Sequence, residues 1–229
     1  MQDLIKQEQF EIEVLDRLNS KKLLSHLVFA GGTMLRLCFG LNRYSVDLDF
    51  WITTDIDRKG LFIKLNEYLS KIYTIKDSAY KYYTMVLEIR SKDYPSSLKI
   101  EIRKEKKRVK TEQVIAYSRH SNIQVLLRAV SLTNMMKLKI DAFLNRKEIR
   151  DLFDIEFLFK RGGDLRSHSI GKLKALLKEI DSLPLMDYKV KLGSILEYDM
   201  RKYYLTNNFN FLKSAITEIL SDQPPLLNK

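Results

Sequence analysis

Residues 29–52 read FAGGTMLRLCFGLNRYSVDLDFWI. Leu27–Ala30 is a short apolar run that reads as a buried strand, and it stops at Gly31-Gly32-Thr33. MLRLCFG then has the apolar spacing of a short helix closing at Gly40. Val46–Ile52 alternates with period two and is rich in β-branched and aromatic residues, which predicts a second strand. Alternate strand residues share a face, so Asp47 and Asp49 project together, with Val46, Leu48 and Phe50 packing opposite. Two neighbouring carboxylates repel unless a cation lies between them. Magnesium, a hard ion, prefers such carboxylates together with phosphate oxygens. The Gly31–Thr33 turn opens a helix, where backbone N–H groups and the Thr33 hydroxyl are suited to cradling a triphosphate. Each feature has a plainer explanation: solvent-facing acids on an edge strand, and a tight strand–helix connection.

Working outward, residues 4–18 and 58–71 have helical spacing, and strands are expected around 72–78, 82–90 and 98–103. After about residue 115 strand signals fade, apart from a short one at 123–127. Helices are expected over 132–144, 151–160, 169–180, 186–203 and 208–220. The fold class is therefore α/β (α+β): a mixed-sheet domain over residues 1–118 followed by a helical bundle over 119–229.

Lys139–Asp154 reads KIDAFLNRKEIRDLFD. On one continuous helix Lys139, Arg146, Arg150 and Asp154 would fall within an arc of about 80°. A pause near Asn145 and a new helix from about Asp151 fit the sequence better, because an acid suits a helix N-terminus. Lys and Arg side chains are good triphosphate donors, although charged helix faces are more often simply solvated.

These stretches resemble a known family. Gly32-Thr33, then Asp47-Leu48-Asp49-Phe50, is similar to the nucleotidyltransferase signature of the DNA polymerase beta superfamily. Phe29–Ile52 as a whole is similar to the AbiEii/AbiGii toxin nucleotidyltransferases, in which an Arg-x-Ser precedes the acids, as Arg43-Tyr44-Ser45 does here. Lys139, Ala142, Arg146, Arg150, Asp151 and Asp154 resemble that family's second signature. The resemblance spans about residues 25–160. It implies the polymerase beta-type sheet domain, with Asp47 and Asp49 holding two magnesium ions, manganese being an alternative. It also implies a third acid on a later strand, and Glu101 in SLKIEIR is the match. In this scheme Gly31, Gly32, Thr33, Arg43, Ser45, Lys139, Arg146 and Arg150 bind the NTP. Asp151 or Asp154 completes the site or orients Lys139 and Arg150, and Lys137 competes for the lysine role. The implied partners are an NTP, an RNA acceptor such as a tRNA 3′ end, and a cognate antitoxin protein. A protein or small-molecule acceptor, and a non-catalytic RNA- or partner-binding scaffold, are the alternatives.

The bulk numbers agree with a basic, folded, non-membrane protein. The chain of 229 residues has a net charge of +11, 45% hydrophobic and 30% charged residues, and only 8 Gly and 4 Pro. That charge suits a polyanionic partner or merely lysine-rich helix faces. No run approaches the roughly 20 apolar residues of a membrane span, and the acidic N-terminus does not read as a signal peptide. Cys38 is the sole cysteine, so no intramolecular disulfide can form, and the cytoplasm is the expected location. Arg103–Lys110 holds six basic residues and one acid, suited to nucleic-acid phosphates or to a solvated hairpin tip. Tyr80, Tyr82 and Tyr83 lie among lysines and could stack bases or serve as ordinary strand aromatics. His26, His120 and His168 lack metal-ligand spacing, and no Walker A sequence is present.

Overall fold

The computed structural model describes residues 2–222. The chain divides into two compact units, Met1–Ser131 and Leu132–Lys229.

The first unit is built on a seven-stranded mixed sheet of order β3-β4-β5-β2-β1-β7-β6. Its elements are α1 (Gln2–Ser20), β1 (Leu27–Ala30), α2 (Gly31–Phe39), β2 (Asp47–Ile52), α3 (Arg58–Ser70), β3 (Thr74–Tyr80), β4 (Thr84–Arg90), β5 (Leu98–Lys106), β6 (Thr111–Tyr117) and β7 (Gln124–Val130). β1 and β2 pair antiparallel, while β2 pairs parallel with β5. The alternation in the sequence becomes a buried face: Leu48, Phe50 and Ile52 of β2 and Leu98, Ile100 and Ile102 of β5 are all at most 1% exposed. At about 25 cal/mol per Å² of apolar surface, each such side chain stabilises the sheet by about 1.5–3 kcal/mol. Val46 departs from the expectation. It precedes the strand, where period two no longer applies, and it is 43% exposed. Local signals set the helix ends. Asp57 caps α3 by accepting from the Gly60 amide at 2.9 Å. Gly40, at φ 77°, closes α2 with a left-handed turn.

β6 went unread in the sequence, and its hairpin with β7 (Thr111↔Val130 to Tyr117↔Gln124) places residues 111–130 in the sheet. The division between the units thus falls at Ser131/Leu132, later than residue 118.

The second unit is helical: α4 (Leu132–Arg146), α5 (Ile149–Lys160), α6 (Ile170–Asp181), a π-helical turn at Asp187–Leu192, a 3₁₀ turn at Gly193–Ile195, α7 (Tyr198–Asn207) and α8 (Asn210–Ser221). α4 packs on α5, and α6 on α8. Phe153, Tyr204, Phe209 and Tyr188 form a chain of tilted ring contacts with centroids 5.0–5.7 Å apart. The single helix expected over 186–203 is divided into the two turns and α7, with an extended residue at Leu196. No helix among the described residues is long and apolar enough to cross a membrane.

Candidate active site

In the first unit, Asp47 and Asp49 occupy alternate positions of β2 and so share a face. The parallel pairing with β5 sets Asp47 opposite Lys99 and Asp49 opposite Glu101. Three acids from two strands thereby lie on one face of the sheet. Asp49 also faces Ala30, the last residue of β1, so it stands where the chain turns into α2. Gly31 adopts φ +82°, and a Cβ there would overlap Asp49 Oδ2. A Cβ at Gly32 would overlap the Arg43 guanidinium and crowd Ser45 Oγ. The two glycines are thus needed for close approach: an acid presses on one, an arginine and a serine on the other. Gly31, Gly32, Arg43, Ser45 and Asp49 are brought together by the fold.

Thr33 has a different place from the one expected. It is fully buried, and its hydroxyl donates to the Asp47 carbonyl at 2.6 Å. It fixes the start of β2 against α2, so its proton is not presented to a ligand. Arg43 is 2% exposed and donates to the Tyr44 carbonyl at 3.0 Å.

Sequence reasoning assigned Lys99 no role. Its ammonium lies 3.5 Å from Asp47 Oδ2 and 3.7 Å from Glu101 Oε2. Burial works to lower the Lys99 pKa, but Asp47, Glu101 and Asp49 outweigh it and hold the pKa above its ordinary value. Lys99 is 39% and Asp47 37% exposed. A pair of that length and exposure contributes only about 0–1 kcal/mol, so Lys99 is a counter-ion that a stronger cation can displace. Its place on Glu101's polar side of the strand was the available signal. Among the described residues, no three His, Cys, Asp or Glu side chains converge tightly enough to hold a metal on their own.

Under this patch lies a polar layer that the apolar periodicity of α1 conceals. Arg36 of α2 donates to Glu8 and covers the Tyr44 ring at 3.8 Å, and Ser118 donates to Glu8 at 2.6 Å. Glu11 is wholly buried, and both its carboxyl oxygens lack a hydrogen-bond partner. Burial, then the Glu8 charge, push its pKa well above the usual range; Arg36 opposes this and Asp47 adds to it. Cys38 is half-buried, and burial lifts its thiol pKa to about 12.

In the second unit, α4 stops at Arg146, Lys147 takes a left-handed φ of 56°, and α5 starts at Ile149. The break turns Asp151 and Asp154 toward α4. Asp151 accepts from Lys139 Nζ at 3.1 Å and from Arg146 Nε and Nη2 at 2.5 and 2.7 Å. Asp154 lies 2.6 Å from Lys139 Nζ. Both acids are fully buried and Lys139 nearly so. Arg146, rather than Arg150, is the arginine held by an aspartate. The charged stripe that would have included Arg150 needs an unbroken helix, and Arg150 is exposed.

The basic run divides. β5 continues to Lys106, and residues 107–110 lead into β6. Lys106 pairs with Asp55 at 2.8 Å and Lys107 with Glu105 at 3.0 Å.

The family described as nucleotidyl transferase AbiEii toxin, type IV toxin–antitoxin system, matches residues 13–191, a span that includes Gly31–Asp49, Lys99, Glu101 and Lys139–Asp154. No curated protein matches the chain. Among solved structures, the chain is similar to a candidate nucleotidyltransferase from Helicobacter pylori at 23% identity, covering 92% of this chain and 96% of that one with a TM-score of 0.53. It is also similar to JHP933 from Helicobacter pylori at 24% identity, covering 91% and 94%, with a TM-score of 0.49. The first likeness is one of fold. The family match extends over both acidic clusters, and with it the chain belongs to the AbiEii family of nucleotidyl transferase toxins and is a nucleotidyltransferase.

Proposed function

We propose that the enzyme transfers a nucleoside monophosphate from an NTP to a hydroxyl of RNA, with a tRNA 3′ end as the first candidate, in a magnesium-dependent reaction. The observation that carries this reading is the β2–β5 register, which sets Asp49 beside Glu101 with Asp47 on the same face. The residues fit magnesium in their chemistry. They offer hard carboxylate oxygens, too few to enclose an ion alone, as suits a metal that completes its shell with phosphate oxygens and water. Asp47 and Asp49 would hold it, with Glu101 beside them. When bound, the metal supplies Lewis-acid stabilisation of the charge developing on phosphate.

The chain's own groups account for the rest. The first-turn amides of α2 at Gly31 and Gly32 have no partner within the helix and are suited to a phosphate. Glu101 accepts the proton of the attacking hydroxyl. The hydroxyl oxygen bonds to the α-phosphorus as the bond to the bridging α–β oxygen breaks, and pyrophosphate leaves. Lys99 shifts from Asp47 toward the incoming negative charge. In the second unit the proposal is one of charge alone: Arg146 and Arg150 present guanidinium groups suited to phosphates, and Asp151 and Asp154 position Lys139. A cognate antitoxin protein is the expected partner of a toxin of this family.

The test is incubation with each α-labelled NTP, magnesium and total cellular RNA and protein. Label in a discrete tRNA-sized band, lost when magnesium is chelated, is the expected result. Label confined to protein, or label that survives chelation, overturns the acceptor or the metal respectively.

A further inference from the structure

We infer that the β3–β4 turn, with Tyr82, Tyr83, Lys81 and Arg103, is a docking platform for the unpaired end of the acceptor RNA; this rests on the reading above that the acceptor is RNA. Tyr80 pairs with Met85, and the Lys81 amide donates to the Thr84 carbonyl at 2.8 Å, so Tyr82 and Tyr83 form a two-residue loop. The commonest such loops use positive φ and so favour Asn-Gly and similar pairs. Among the described residues the only non-glycine positions with positive φ are Lys22, Lys147 and Asn208. Turn geometry therefore does not call for two tyrosines here. Packing does not either: they are 82% and 74% exposed, among the described residues the two most exposed large hydrophobic side chains apart from Tyr198.

The tip is held in place. The Lys104 amide donates to the Tyr83 carbonyl at 2.9 Å, and its Nζ donates to the Lys81 carbonyl at 2.8 Å while lying 3.8 Å over the Tyr80 ring. Arg58 Nε holds the Lys104 carbonyl at 3.0 Å. The rings of Tyr82 and Tyr83 stand edge to face, with centroids 4.6 Å apart and planes at 82°. They make a corner in which a base stacked on one ring meets the other with its edge, an arrangement tolerant of base identity.

Charge points to the same occupant. Lys81 and Arg103 are exposed and enter no ion pair among the described residues, while the nearby acids Asp55 and Glu105 are paired with Lys106 and Lys107. Arg103 lies two residues beyond Glu101 on β5, hence on the same face, and sits opposite Thr84. A cationic side chain thus follows the candidate base at a strand distance of about 7 Å, and the tyrosine turn comes next. An RNA backbone would follow that line with its end base on the tyrosines.

The experiment uses the full chain, a 5′-fluorescein single-stranded RNA and a blunt duplex of the same sequence, read by fluorescence anisotropy, with NTP-dependent labelling of the single strand in parallel. Tyr82→Ala/Tyr83→Ala is expected to weaken single-strand binding about 10-fold or more and to raise the KM for RNA, with the KM for NTP unchanged. Tyr82→Phe/Tyr83→Phe keeps wild-type binding, since stacking needs the ring and not the hydroxyl. Lys81→Ala/Arg103→Ala flattens the slope of log Kd against log salt by about 1.4, the value for two phosphate contacts on a single strand. The platform is overturned if the alanine pair binds and labels RNA like wild type, or if the blunt duplex binds as tightly as the single strand. In either case the RNA acceptor itself stands, provided the wild type labels RNA. If the wild type labels only protein, that reading falls and the platform with it.

Discussion

Asp47 and Asp49 on β2, and Asp151 and Asp154 on α5, are both aspartate pairs beside a lysine, yet their surroundings are opposite. The first pair lies on a half-open sheet face, where Lys99 stands off at 3.5 Å from Asp47 and is itself 39% exposed. The second is fully buried, with Lys139 at 2.6 Å from one acid and Arg146 bidentate on the other. Asp47, countered only at that distance and in partial solvent, retains its capacity for a new cation. A buried acid with charged partners on hand is already satisfied, and removing a partner leaves an uncompensated charge in low dielectric. The same residue types thus stand open to a ligand in one place and closed around one another in the other, and what separates them is solvation and partner distance.

The sharpest way to break this contrast is to neutralise each pair in turn. Asp47→Asn or Asp49→Asn is expected to lower nucleotide transfer by about 10³-fold or more, with folding stability unchanged or slightly raised. Labelled-NTP assays beside urea melts check it; substantial activity in both variants sinks the role assigned to β2. Asp151→Ala should do the reverse, costing about 3–5 kcal/mol of stability in urea titration. A loss under about 1 kcal/mol would show the buried quartet to be dispensable.

Gly31→Ala tests the contact between turn and acid. The left-handed φ alone costs about 1–2 kcal/mol, and the methyl group must displace the Asp49 carboxylate, so activity falls more than stability does. Equal losses would detach Asp49 from the turn. Glu11 sharpens the contrast differently, as a buried acid near Glu8, Arg36 and Asp47 with no hydrogen bond. Its folded pKa is raised, so the folded state holds the proton more tightly than the unfolded chain. Its stabilising contribution is complete below the unfolded carboxyl pKa and declines as pH rises through the folded one. Glu11→Gln should flatten that decline, and melting temperatures measured from the ordinary carboxyl range upward in pH follow it; an unchanged pH profile overturns the assignment. Smallest of all, Arg150→Ala should alter stability by no more than about 0.5 kcal/mol, in contrast with Arg146→Ala.

The strand carrying Asp47 and Asp49 was legible because acids and apolar residues alternate over Asp47–Phe50, apolar residues continue to Ile52, and Gly-Gly and Gly40 mark the helix before it. The pause before α5 was legible from the acid at its start. β6 was hidden because only Ala116 in it is buried, so TEQVIAY has no apolar period and follows a run of lysines. Lys99 was visible only as one polar member of an alternating strand; its meaning depends on β2 lying alongside, which spacing cannot reveal. Glu8 and Glu11 sit one helical turn apart, a shared-face signal that the apolar residues of α1 overshadow. The alternative of one continuous helix through Arg150 is ruled out by the left-handed Lys147, as the expected pause near Asn145 requires.

The parallel pairing of β2 with β5 also bears on when the enzyme comes into being. Between the two strands the chain must make α3, β3 and β4 before Glu101 can lie beside Asp49. Contacts so distant along the chain carry a loop-closure cost and form late in folding. A toxin still emerging from the ribosome has its aspartates early but its third acid only after that crossover closes. An unfinished chain that ends before β5 therefore lacks the assembled acid cluster.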